Sequence, residues 1–152
     1  MDTASIDIDA APEQVYDLVA DVTNMGRWSP ETYRCQWLDG VTEPRSGARF
    51  KGWNRQRVGP LPLQWSTTCT VATADRGQKF AFDVRQSGAR WTYRFEPQGD
   101  GATRVTETRE DGVKPFVAKV FNAVAPNRSE RLRTGMRETL ERVKAAAEAG
   151  PS

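Results

Sequence analysis

The residue types in this chain leave few routes to chemistry. No histidine occurs in its 152 residues, which removes the commonest general base at neutral pH. The two cysteines, Cys35 and Cys69, do not stand in C-x-x-C spacing, and without histidine a protein zinc centre lacks its usual ligands. There is no Ser-His-Asp set, no Gly-rich phosphate loop and no dinucleotide fingerprint. Neither a metal nor a cofactor is expected. What remains is a group of polar residues on the apolar phase of strand-like segments: Asn54, Thr67, Tyr93 and Glu107. A carboxylate in such a position pairs with a cation, takes up a proton, or faces water and ligand inside a cavity. Two readings of Glu107 therefore stand. In one it pairs with Arg109 or with an arginine of the adjacent strand. In the other it is a polar anchor, or a general acid/base with raised pKa, in a largely apolar pocket. Tyr93 could donate a hydrogen bond from its hydroxyl and Asn54 could orient a ligand carbonyl, or each could satisfy a neighbouring backbone group.

Strands must position these groups. Ser5 to Asp9 alternates polar and apolar residues, with Ile6 and Ile8 inward. Further strands are expected at about 32–39, 47–57, 63–74, 78–86, 90–97 and 102–110, separated by Asp39-Gly40, Arg76-Gly77 and Gly99-Asp100-Gly101. Period-two bookkeeping then sorts the side chains by face. Cys35 and Trp37 share one face with Phe50, Gly52 and Asn54, then Trp65, Thr67, Cys69 and Val71. Phe80, Phe82 and Val84 follow, with Trp91, Tyr93 and Phe95, and lastly Thr103, Val105, Glu107 and Arg109. Trp53 falls on the other face and should be covered by a loop, a partner or a helix pair. Seven strands joined mostly as hairpins imply an antiparallel sheet strongly curved around its contents.

The helical signals lie at either end. Pro12 suits a first helical position, Val15, Leu18 and Val19 repeat at helical spacing, and Asn24 can cap a second turn through Trp28, stopped by Ser29-Pro30. Trp28 should plug the core below these helices, and two roles stand for Trp65 and Trp91, packing on the long C-terminal helix or lining a binding cavity. In that helix Leu132, Met136, Leu140 and Val143 form one face, Ser129 can cap the start and Gly150-Pro151 ends it. Gly135 either admits close approach to the sheet or leaves room for a ligand. Residues 113–125, VKPFVAKVFNAVA, closed by Pro126-Asn127, read as a separate short apolar helix or as the first part of the long helix kinked at Pro126, and as a gate or part of the core.

Length and the absence of a linker indicate one domain over 1–149 with a short tail at 150–152. The net charge is only +2, although residues 1–31 carry seven acids against the single Arg27. Basic residues are scattered rather than striped, so nucleic acid is not expected as a partner. No charged-then-apolar leader opens the sequence, and no apolar run approaches the roughly 20 residues that cross a bilayer. The expectation is a soluble cytoplasmic protein with no integral membrane association.

The segments VADVTNMGRWSPE (19–31), GARFKGWNR (47–55), WSTTCTV (65–71), WTYRFEP (91–97) and MRETLERVKAAAE (136–148) together resemble the polyketide cyclase/dehydrase-like branch of the SRPBCC, or START-related, helix-grip superfamily. That resemblance spans nearly the whole chain. It implies an α+β helix-grip fold, with a seven-stranded curved antiparallel sheet wrapped around a long C-terminal helix and two short helices between strands 1 and 2. It places Cys35 on the second strand and Cys69 on the fourth, roughly 9 to 10 Å apart, too far for a disulfide, so two free buried thiols are expected. It also implies a hydrophobic cavity between sheet and helix. The ligand-facing residues would be Trp37, Phe50, Asn54, Thr67, Phe82, Trp91, Tyr93, Glu107, Phe121 and Met136, with Glu107 and Tyr93 as the catalytic candidates. The leading expectation is a carrier or sensor for a hydrophobic small molecule such as a lipid, polyketide or related metabolite. The alternatives are a polyketide cyclase or aromatase using the same cavity, and a ligand-free protein-interaction module presenting Trp53 and residues 113–125. A homodimer is left open.

Overall fold

A computed structural model of the protein describes residues 1–112 and 128–150. Phe121, the 113–125 segment and the kink expected at Pro126 fall outside them. The elements run β1 (Asp2–Ile8), α1 (Pro12–Ala20), a 3-10 turn (Val22–Asn24), α2 (Met25–Trp28), β2 (Thr32–Trp37), β3 (Arg49–Val58), β4 (Leu61–Asp75), β5 (Lys79–Val84), β6 (Arg90–Pro97), β7 (Thr103–Glu110) and the C-terminal α3 (Arg128–Glu148). All seven strands form one antiparallel sheet in the order β1-β7-β6-β5-β4-β3-β2. This is the expected helix-grip arrangement, with consecutive hairpins from β2 to β7 and the first strand returning beside the last.

Local chemistry explains the elements and adjusts several expected details. Pro12 takes the first turn of α1. Asp21, rather than Asn24, makes the cap that follows: its carboxylate accepts from the backbone N–H of Thr23 at 3.1 Å. Asn24 instead donates to the carbonyl of Leu18 at 3.2 Å. Ser129 lies inside α3, which already includes Arg128. Gly150, at φ 82°, ends that helix in the left-handed conformation that suits glycine. Strand β1 begins three residues earlier than expected, so that Ala4 joins Ile8 in the core. The longer β4, running from Leu61, makes the β3–β4 hairpin outreach its neighbours.

The core gathers at one end of the sheet. Ile8, Val15, Val19, Val22, Phe80, Phe95, Val105, Leu140 and Val143 are buried there. Tyr16, which the spacing of α1 did not single out, meets Phe95 and Phe80 edge-on, with ring centroids 5.6 and 6.3 Å away. Trp28 is buried as expected, and its carbonyl accepts from Arg142 of α3 at 3.1 Å. The last turns of α3 are tied to the other edge by Lys144, whose Nζ donates to the carbonyl of Asp7 at 2.8 Å. Glu148 adds a further link by accepting from the N–H of Asp9 at 2.9 Å. Leu140, Val143 and Ala147 thus sit in the core, while Leu132, Gly135 and Met136, nearer the start of α3, border open space. Trp53 does lie on the convex face, where its cover is neither loop nor helix: the Arg34 guanidinium and the Lys51 ammonium sit 4.7 and 5.0 Å from its ring.

Two glycines make opposite predictions. A Cβ on Gly26 in α2 would collide with the carbonyl oxygen of Tyr33, a backbone atom that cannot swing away. Gly26→Ala should therefore lose about 1–3 kcal/mol, as overpacking does, despite alanine's higher helix propensity. A Cβ on Gly135 would meet only Pro30 Cγ at 3.4 Å, an ordinary contact. Gly135→Ala should gain up to about 1 kcal/mol. Urea unfolding of the two variants checks both signs.

Candidate functional site

Register across the sheet brings the polar residues of the concave face into two groups. In one row Phe80 of β5 lies opposite Tyr93 of β6, which lies opposite Glu107 of β7, which lies opposite Ala4 of β1. The Tyr93 hydroxyl donates to Glu107 Oε1 at 2.7 Å. Glu107 is 2% exposed, and its Oε2 has no hydrogen-bond partner among the described residues. Burial pushes the Glu107 carboxyl up to about 8, only partly offset by the Tyr93 hydrogen bond. Burial, and then the neighbouring Glu107 charge, push the Tyr93 phenol well above its ordinary value. With its carboxyl held at about 8 by burial, Glu107 favours the protonated form at neutral pH, and Oε2 is the oxygen that Tyr93 leaves unengaged.

The expected pairing of Glu107 with Arg109 does not form. Arg109 reaches the other way, donating from Nη1 to Asp111 at 2.7 Å, with its guanidinium 5.8 Å from the ring centre of Trp91, its cross-strand neighbour. Residues two apart on one strand share a face, but the long arginine side chain finds its carboxylate near the sheet's end and leaves the buried one uncharged.

The second group spans β2, β3 and β4. The Thr32 hydroxyl donates to Asn54 Oδ1 at 2.6 Å, and Asn54 Nδ2 donates to Thr67 Oγ1 at 3.4 Å. Asn54 is therefore held by side chains rather than by backbone. Beside it Gly52 lies between Cys35 and Thr67 in register. A Cβ there would approach Thr67 Oγ1 to 3.2 Å and Cys35 Sγ to 3.5 Å, so the missing side chain keeps this part of the concave face open.

Between the concave face and the first half of α3 lies a cavity of about 2000 Å³. Of the residues expected to face a ligand, Phe50, Asn54, Thr67, Phe82, Trp91, Tyr93, Glu107 and Met136 line it. Trp37 does not: it packs edge-on behind Phe50 at 5.7 Å. Phe121 is outside the described residues. The cavity is also lined by residues not singled out for it, namely Cys35, Gly52, Cys69, Leu63, Trp65, Arg109 and Thr139. Most share the inward phase of those that were, and a glycine interrupting an inward row was the available signal for Gly52. Trp65 is 37% exposed on the β3–β4 hairpin, while α3 packs chiefly on β1, α1 and α2. Both Trp65 and Trp91 border the cavity instead of serving as the helix's main seat. Among the described residues no cluster of three or more His, Cys, Asp or Glu side chains could hold a metal ion.

Cys35 and Cys69 are free and buried, and Cys35 points its thiol at Met25 Sδ, 3.7 Å away. Burial raises both thiols to about 12. Each thiolate population should be on the order of a thousandfold below that of an ordinary cysteine, so alkylation at pH 8 should be slow in the native protein and immediate in denaturant. For Glu107 the sign follows from proton binding. Between its ordinary value of 4.5 and its folded value of about 8, the native state keeps a proton that the unfolded state has released. The stability is fully present below about pH 4.5 and is lost, at about 1.4 kcal/mol per unit, as pH rises through about 8. Glu107→Gln should remove that slope. A wild-type-minus-variant stability difference that stays constant from pH 5 to 8 would show instead that the buried carboxyl is ionised.

With the geometry in place, the chain can be set beside known proteins. A search of curated proteins found no match. Among solved structures it is similar to the solution structure of KanY protein, at 20% identity and TM-score 0.71, covering 96% of this chain and 95% of that one. It is also similar to the Polyketide_cyc-like protein Cgl2372 from Corynebacterium glutamicum, at 33% identity and TM-score 0.60, covering 96% and 90%. A third similarity is to the di-domain ARO/CYC StfQ from the steffimycin biosynthetic pathway, at 16% identity and TM-score 0.64, covering 97% of this chain and 44% of that one. The first and third are likenesses of fold. Residues 3–148 match the model of the family described as polyketide cyclase / dehydrase and lipid transport, and it is to this family that the chain belongs.

Proposed function

We propose that the protein binds a hydrophobic small molecule, a lipid, polyketide or related metabolite, in the cavity between the curved sheet and α3, as a carrier or sensor. One observation carries the reading. Phe50, Phe82, Trp91 and Met136 give the cavity an apolar floor within a largely polar surround, and on that floor a fully buried carboxyl keeps one oxygen without a partner among the described residues. Unpartnered buried polar atoms are rare because each costs about 1–3 kcal/mol. A ligand oxygen set against Glu107 Oε2 would accept its proton and remove that cost, while Phe50, Phe82 and Trp91 cover an apolar body. The ligand so described is mostly apolar with at least one hydrogen-bond acceptor. Both halves of the family's description, cyclisation and lipid transport, concern ligands of this kind.

A second reading, a cyclase or aromatase, draws on the same pair. A carboxyl held near 8 is matched to proton transfer close to neutrality, and Tyr93 hydrogen-bonds directly to it. In that reading the cavity folds a flexible poly-carbonyl chain while Glu107 and Tyr93 exchange protons with its oxygens. The interaction-module reading has less behind it, since Trp53 is covered by the protein's own cations.

Native mass spectrometry of the protein as purified, followed by denaturing extraction, tests the ligand reading. We expect a co-purifying hydrophobic metabolite, or an adduct after incubation with a panel of lipids and aromatic polyketides. A clean apo mass after both would overturn it. Turnover of a poly-carbonyl substrate that is lost in Glu107→Gln while binding persists would move the assignment from carrier to enzyme.

A further inference from the structure

The β3–β4 hairpin reaches beyond the sheet that supports it. Pairing of β2 with β3 stops at Asn54, and pairing of β5 with β4 starts only at Cys69. The cross-strand pairs from Arg55–Gln64 to Val58–Leu61 therefore stand in a two-stranded arm, about 13 Å long at the usual rise per residue. Its two-residue turn, Gly59-Pro60, puts glycine at φ 62°, a left-handed position of the kind that tight hairpins require.

The surface of this arm is unlike the rest of the molecule. The large apolar residues exposed among the described ones are Met1, Tyr33, Leu61, Leu63 and Trp65, and all but Met1 lie on the arm or at its base. Leu61 is 64% exposed and Leu63 47%. On the opposite face of the arm stand Arg55 and Arg57, in phase with Lys51 and Trp53 nearer its base, where Arg34 lies beside Trp53. Five arginines elsewhere, Arg49, Arg76, Arg90, Arg104 and Arg109, each hold an aspartate, and others such as Arg45, Arg85 and Arg94 are scattered singly over the surface. None of the four cations on and beside the arm, Arg34, Lys51, Arg55 and Arg57, has a carboxylate partner among the described residues. Three of them lie against aromatic rings instead, Arg34 and Lys51 on Trp53 and Arg55 on Tyr33 at 5.0 Å, which leaves their charge uncompensated.

From this we infer that the β3–β4 arm docks the protein, tip first, onto the surface of an anionic lipid bilayer. Cations alone would serve any polyanion, but a nucleic acid offers no medium for Leu61 and Leu63 at the tip, and a protein would need an apolar pocket shaped to a narrow hairpin, whereas a lipid surface receives such a tip without one. A bilayer accepts both kinds of side chain on one arm. Leu61 at the tip enters the acyl boundary, and the aromatic rings at the base take the interface. Arg57 and Arg55, which alternate with Leu63 and Trp65 along the arm, reach out to the headgroup phosphates. The rim of the cavity includes Arg55, Arg57, Leu63 and Trp65, so docking in this pose turns its mouth toward the lipid. The inference stands on the arm's surface and not on what the cavity holds.

The test is co-sedimentation of the full chain with vesicles of phosphatidylcholine alone or mixed with phosphatidylglycerol, read beside tryptophan emission. We expect binding to the mixed vesicles, a blue shift, weakening with salt, and a drop of about tenfold for Leu61→Asp. A smaller drop is expected for Arg34→Gln. Unchanged thermal melting of both variants would exclude misfolding as the cause. Failure of the wild-type protein to bind the mixed vesicles would overturn the proposal. So would binding that Leu61→Asp leaves intact while Arg34→Gln weakens it, which would reduce the contact to adsorption by charge with no entry of the tip. Neither outcome bears on whether a metabolite co-purifies.

Discussion

One helix cannot cover a seven-stranded sheet. Six inter-strand spacings span about 29 Å, whereas a helix with its side chains is about 10–12 Å across. The fold answers this mismatch unevenly. Short helices α1 and α2 join α3 at one end, where Tyr16, Phe80 and Phe95 close the core, and where Lys144 and Glu148 fasten α3 to the chain around β1. At the other end nothing comparable accompanies the first turns of α3 among the described residues, and the concave face is left with a cavity. Among the described residues, the cavity lies where coverage of the sheet is thinnest.

Within that cavity, desolvation outweighs hydrogen bonding in setting charge. Burying a carboxylate costs several kcal/mol, while a hydrogen bond to a charged group returns about 1.5–3 kcal/mol. Tyr93 alone therefore cannot hold Glu107 ionised, and Arg109, the one cation sharing its strand face, is committed to Asp111. The neutral acid is what remains. At the opposite side of the cavity, Thr32, Asn54 and Thr67 satisfy one another, so the two polar groups differ in kind. One is already satisfied by its neighbours, and the other is open to a ligand.

Alternation along the strands made the inward face readable from Cys35 to Arg109, because a slip of one residue would have turned Phe80, Phe82, Tyr93 and Val105 outward together. The long helix and the family resemblance were legible for the same reason: both are written in periodic apolar positions. What escaped was decided by geometry that period does not encode. Whether Glu107 meets Arg109 depends on where a flexible side chain finds its nearest carboxylate. Trp37 has the right phase but packs behind Phe50 at the edge of the row. Trp53 has the outward phase, yet two cations cover it. Asp21 and Asn24 are both competent caps, and backbone direction alone chose between them. The arm depended on how far β4 outlasts β5, a matter of strand ends, which sequence patterns define least well.

The pairing of β1 with β7 also has a consequence in time. Ser5 and Thr106, whose hydroxyls meet at 3.1 Å, are 101 residues apart in the chain. At roughly 5–20 residues per second, a ribosome completes β7 on the order of 5–20 s after β1. The seat for α3 on β1 cannot be finished until the final helix has also emerged. Strands β2 to β7 can zip hairpin by hairpin as they appear, but β1 and α1, with their acidic side chains, must wait beside them in solution. Residues 1–31 carry seven acids against the single Arg27, and like charge on a waiting edge strand opposes its pairing with a second copy of itself.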